Sequence, residues 1–136
     1  MRRRSRLRGN YYAANRVGTT ITLRAIASDI FNYTAESDGY FPPEETENFR
    51  LAAYRSPYGH PKSGPDFVYE YQDQMHAPLP PAVVIAFDAA QVEQAAPDDA
   101  IDFLAGDGSI LDTKKSAWDA RLAASAQALA KSAREP

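Results

Sequence analysis

Leu23, Ile26, Ala27, Ile30 and Phe31 recur at spacings of three and four residues, which puts them on one face of a helix. Gly18-Thr19-Thr20 opens this pattern, and either threonine suits the cap because its hydroxyl accepts a hydrogen bond from an orphan amide. The Ile21/Leu23/Ala25 alternation offers a competing strand over 19–25, but the helical pattern runs longer and is preferred. Residues 34–43 read as loop. Pro42-Pro43 followed by Glu44, Glu45 and Glu47 predicts a second helix near 43–55. Proline fits the first helical position, and acids complement the positive end of the helix dipole. Phe49, Ala52 and Ala53 would form its buried side, with Arg50 and Arg55 near its end. Ser56-Pro57-Tyr58-Gly59-His60-Pro61 then stops it.

The proline- and glycine-rich stretch 57–66 predicts a loop. Phe67-Val68-Tyr69-Glu70-Tyr71-Gln72 alternates as a half-buried strand does. Ala82–Phe87 is apolar throughout and rich in β-branched residues, which predicts a buried strand. The two runs would pair as an antiparallel hairpin through a wide loop. Asp88–Ala96 suits a short helix. Pro97-Asp98-Asp99 would start another, carrying Ile101, Phe103 and Leu104 and stopping at Gly106. A last helix is expected over 113–134 behind Asp112 as cap. Trp118, Leu122, Ser125 and Leu129 form a narrow seam there among alanines, whose small side chains bury little area each. The fold class predicted is a small single α+β domain with a short, antiparallel sheet and three to four helices. An extended basic N-terminal arm (1–18), an acidic body (19–112) and an Ala-rich C-terminal helix (113–136) make up the chain.

Composition changes this picture little. The 136 residues contain 44% hydrophobic and 24% charged residues, enough for one modest core. Ala82–Phe87 is the longest uninterrupted apolar run, so neither a membrane span nor an apolar secretory leader is expected. The chain would then be intracellular or particle-associated. The absence of cysteine removes disulfides, thiol catalysis and Cys-ligated metals.

Charge changes it more. Residues 1–28 hold seven arginines and no acid, whereas 29–112 hold sixteen acids against three bases. Arg2, Arg3, Arg4, Arg6, Arg8 and Arg16, with Tyr11 and Tyr12, form the candidate binding arm. One reading docks it on an acidic surface of a neighbouring subunit, with Glu44, Glu45, Glu47, Asp98, Asp99 and Asp102 as acceptors. The planar arginine fork grips carboxylates with two hydrogen bonds, and opposite charge blocks orient association. A second reading sets the arginines on phosphates and stacks the tyrosines on unpaired bases. A targeting peptide and a solvated tail are the other two. The eight tyrosines, clustered over 11–71 with Phe41 and nearby prolines, serve either packing or an interface through loops 34–43 and 57–66.

Chemistry is sparse. His60 and His76 lie in proline-rich loops with Asp66 and Asp73 between them, and would form a metal or acid–base site only if the hairpin joins them. No H-E-x-x-H, G-x-S-x-G, G-x-G-x-x-G or Walker pattern occurs. Asp107-Gly108-Ser109-Ile110 resembles part of a calcium loop, but Phe103 and Ala105 stand where ligands belong. No catalytic residue, metal ligand or cofactor is therefore assigned. The leading expectation is a non-enzymatic structural or assembly protein, a subunit of a virion or another multi-subunit particle, with protein subunits (self or hetero) as partners and no membrane. A nucleic-acid-binding accessory protein is the alternative, and a small metal-dependent or hydrolytic enzyme using His60 and His76 the second.

Overall fold

The computed structural model describes residues 2–43, 46 and 49–134, the side chains of 2–10 and 134 excepted. Helix α1 runs from Arg2 to Glu36, so the segment 1–18 read as an arm continues the helix back to Arg2. The apolar face predicted for it is the one it buries: Leu23, Ile26 and Ile30 are inaccessible to solvent. Thr19 does not cap a helix start there. It lies mid-helix, and its hydroxyl reaches across to Asp88. The helix ends where Asp38 and Gly39 take positive φ and the Gly39 amide returns to the Thr34 carbonyl.

Among the described residues of the helix expected over 43–55, only Leu51–Ala53 is helical, as a 3-10 turn; Glu44, Glu45 and Glu47 lie outside the described residues. Tertiary anchors prevail over local propensity. The Phe41 amide bonds to Met75 O, Pro42 O accepts the Tyr69 hydroxyl, and Phe49 is buried edge-on against the Tyr69 ring at 5.4 Å. A continuous helix from Pro43 would withdraw Phe49 from that position.

Four strands form one antiparallel sheet in the order β1-β2-β3-β4. They are β1 (Phe67–Tyr69), β2 (Val84–Asp88), β3 (Ala100–Ala105) and β4 (Ile110–Lys114). The β1–β2 hairpin is the one the sequence predicts, with Tyr69 opposite Ala86. Helix α2 (Ala89–Gln94) follows β2 directly, and the Asp88 side chain caps it by accepting from the Gln91 amide.

Residues 97–106 correct the sequence reading, which makes them a helix. Pro97-Asp98-Asp99 is a turn closed by Ala96 N donating to Asp99 Oδ2, and 100–105 is strand β3. Its residues sort with period two, the signature of a strand. Ile101, Phe103 and Ala105 join Phe87 and Trp118 in one apolar cluster, whereas Leu104 joins Leu23, Ile26 and Ile30 of α1 in another. Asp112, read as a helix cap, sits in β4 opposite Asp102. The last helix, α3 (Trp118–Arg134), begins later than expected, behind a 3-10 turn at Lys115–Ala117.

The seam of α3 packs as expected. Trp118 lies edge-on to Phe87 at 5.0 Å, and Ser125 Oγ accepts the Val84 amide at 2.7 Å. The β3–β4 turn passes so close to residues 79–80 that a Cβ on Gly106 would stand 2.3 Å from Pro80 O.

Candidate interaction site on the first helix

Helix α1 carries two different surfaces between Tyr12 and Arg24. The inner one is a polar junction between α1, the loop 56–66, β2, α2 and β3. Arg16 grips Asp102 with two hydrogen bonds, Nη2 to Oδ1 at 2.7 Å and Nε to Oδ2 at 3.0 Å. Gln91 brackets the same buried aspartate, its amide nitrogen donating to Asp102 Oδ2 and its oxygen accepting the Asp102 backbone amide. The hydrogen bond to Asp102 raises the Arg16 pKa further still and holds the guanidinium charged. Tyr12 is buried beside it, donating to Ala100 O at 2.6 Å. The Tyr58 hydroxyl donates in turn to Tyr12 O. Burial pushes the Tyr12 phenol up, and the Tyr58 phenol up to about 12, so both remain donors at neutral pH.

One step away, Asp88 is fully buried and accepts from Thr19 Oγ1 at 2.7 Å and Ser56 Oγ at 2.6 Å. Burial raises its pKa, against the lowering effect of those hydrogen bonds. Asp66 behaves oppositely. Burial opposes its ionisation, but the hydrogen bonds from His60 Nδ1 and the Ser56 amide outweigh it and leave its pKa lowered. Asp102 and Asp88 each face donors from two segments of the chain, which is how a polar latch tying elements together is built, whereas Asp66 is held within its own loop.

The sequence-predicted residues therefore separate. Tyr12, Arg16 and Asp102 come together, but inside one chain, and Tyr12 is not available to stack on a base. Tyr11 is exposed. Of the acidic acceptors, Asp98 is exposed, Asp99 closes the turn described above, and Glu44, Glu45 and Glu47 lie outside the described residues. The side chains of Arg2, Arg3, Arg4, Arg6 and Arg8 also lie outside the description; their backbone is the first turns of α1. His60 and His76 are not brought to a common site. His60 pairs with Asp66, while His76 Nε2 donates to Asp38 O at 2.7 Å and its ring meets Tyr40 edge-on. Among the described residues no three His, Asp or Glu side chains are grouped to hold a metal ion, and no helix is long and apolar enough to cross a membrane.

The outer surface of α1 is what the sequence reading missed. Ala13, Val17, Thr20 and Ile21 line a shallow groove of about 390 Å³ bordered by Arg16 and Arg24. Val17 and Ile21 are 64% and 60% exposed, an apolar stripe at i and i+4 that no part of the chain covers among the described residues. Ile21 fits the β-alternation and Val17 precedes the helical pattern, so neither falls on the helix face that the periodicity marks. The Asp88 latch was legible, as an aspartate placed between an apolar strand and Ala89-Ala90-Gln91. Comparison with protein-family models, known proteins and solved structures finds no match to this chain.

Proposed function

We propose that this protein is a non-catalytic assembly subunit, built to associate with other protein subunits through helix α1. The observation that carries the reading is the exposed Val17–Ile21 stripe on the helix that also bears seven arginines from Arg2 to Arg24. Isolated exposed aliphatics are ordinary. Two of them one turn apart, edged by arginines, have the apolar centre and charged rim of a protein interface.

Electrostatics support the same reading. The first turn of α1 contains no acid, so its arginines meet the positive end of the helix dipole without compensation. Carboxylates from a neighbouring subunit would relieve that repulsion. Within the chain, Arg16 meets Asp102 with two nitrogens on two oxygens, the fork geometry that suits a carboxylate.

The test is the solution mass of a Val17→Asp/Ile21→Asp variant by size-exclusion with light scattering. Both positions are exposed, so the variant should keep the wild-type melting temperature and lose association. A variant that associates as the wild type does would end this reading.

A further inference from the structure

Resting on the reading of α1 as an assembly helix, we propose that the receiving site on the neighbouring subunit is a cleft between the 72–79 loop and the end of α3. In this arrangement it takes arginine side chains from the α1 N-terminus of a second copy. The cleft encloses about 590 Å³, within the range of ~300–1,000 Å³ typical of ligand sites. Met75, Leu79 and Leu129 are its buried apolar floor.

The rim is rich in acceptors. Asp73 supplies the one charged side chain among the lining residues, and Gln72, Gln74 and Ser132 add neutral oxygens. His76 spends Nε2 on Asp38 O, which leaves Nδ1 as an acceptor on the neutral ring. Tyr40, 46% exposed and edge-on to His76 at 4.7 Å, adds an aromatic face. A carboxylate, amide oxygens and an aromatic ring over an apolar floor match a guanidinium on an aliphatic stem. That group donates five hydrogen bonds in a plane and stacks on rings. Arg2/Arg6 and Arg4/Arg8 are pairs one helical turn apart in the sequence.

Geometry excludes the arm of the same chain as the occupant. Tyr40 follows the C-terminal end of α1, and the arginines stand at the opposite end. A helix rises 1.5 Å per residue, so residues 8 and 36 lie about 40 Å apart. A rigid helix cannot fold its own start into a cleft at its end. Exposed Glu36 and Asp38 lie beside that end of α1, adding negative charge where the incoming arginines would arrive. Arm and cleft lie at opposite ends of α1, so two copies with antiparallel first helices can each seat the other's arm and close as a two-fold dimer, whereas a one-way contact would propagate into a ring or an open chain.

The experiment compares two full-length, nuclease-treated variants with the wild type across a concentration series by light scattering. One is Arg2→Ala/Arg3→Ala/Arg4→Ala/Arg6→Ala/Arg8→Ala; the other is Tyr40→Ala/Asp73→Asn, both cleft positions being exposed. We expect each to raise the concentration for half-assembly about tenfold or more, as loss of aromatic and arginine anchors does. The wild-type mass should rise above that of one chain as concentration increases. If the arginine variant disperses and the cleft variant assembles normally, the cleft is overturned while assembly through α1 stands. If neither disperses, the arginine arm has no part in association and the cleft falls with it. A wild-type mass that stays at that of one chain throughout the series would also overturn the contact.

Discussion

Replacing Arg16 by alanine separates the part of α1 that belongs to the body from the part offered to partners. Asp102 is 4% exposed and receives both Arg16 nitrogens and the Gln91 amide. Removing the guanidinium leaves a buried carboxylate with one side-chain donor. Breaking a fully buried pair costs about 3–5 kcal/mol, but the Arg16 side chain is itself 35% exposed. Water can enter where it stood, so about 2 kcal/mol is the better figure. For a domain of this size that lowers the melting temperature by roughly 4–12 °C. Asp102→Asn in the same chain should recover part of the loss, because the unpaired charge is then gone. Thermal denaturation of the two variants measures both effects. The five-arginine variant should melt within about 2 °C of the wild type, at ~0.5 kcal/mol or less for surface changes. An Arg16→Ala variant with an unchanged melting temperature would refute the latch.

Two further predictions concern the body. Gly106→Ala should destabilise by about 3 kcal/mol, because its Cβ meets the Pro80 backbone oxygen and buried Leu79 at 2.9 Å and neither can retreat; chemical denaturation reads this, and a neutral result would contradict the close approach. His60→Ala should alter the acid side of the stability profile. The lowered folded pKa of Asp66 contributes stability above the ordinary carboxylate range, lost as pH falls through the folded value. Without the His60 hydrogen bond that contribution shrinks, so the variant and wild-type curves should differ near neutrality and converge in acid; parallel curves would count against it. Asp88, whose folded pKa burial raises, acts with opposite sign, its contribution present in acid and lost as pH rises through its folded value.

The elements legible in the sequence were those whose pattern and neighbours agree. Leu23, Ile26 and Ile30 repeat at helical spacing and are the face α1 buries. The runs 67–72 and 82–87 alternate or are apolar, and the strands that form there, Phe67–Tyr69 and Val84–Asp88, pair antiparallel as expected. Two misreadings share one cause: local signals of helix formation are plain in the sequence, whereas the tertiary contacts that override them are not. Pro97-Asp98-Asp99 has the chemistry of a helix start, but Ile101, Phe103 and Ala105 need one side of a sheet against Trp118. Pro42-Pro43 likewise promises a helix, and Phe41 and Phe49 hold the chain elsewhere. The charge blocks were visible. What charge counting cannot show is that Arg16 and Asp102, one from each block, satisfy each other within the chain.

The central claim is that α1 mediates association between protein subunits. The most direct measurement is the solution mass of the nuclease-treated full chain near physiological salt, with absorbance at 260 and 280 nm recorded together. The account predicts a mass well above the 15.0 kDa of one chain, a protein-like absorbance ratio, and loss of the excess mass in the Val17→Asp/Ile21→Asp variant. A chain that stays monomeric at every concentration, or one whose absorbance ratio stays raised after nuclease, would contradict it.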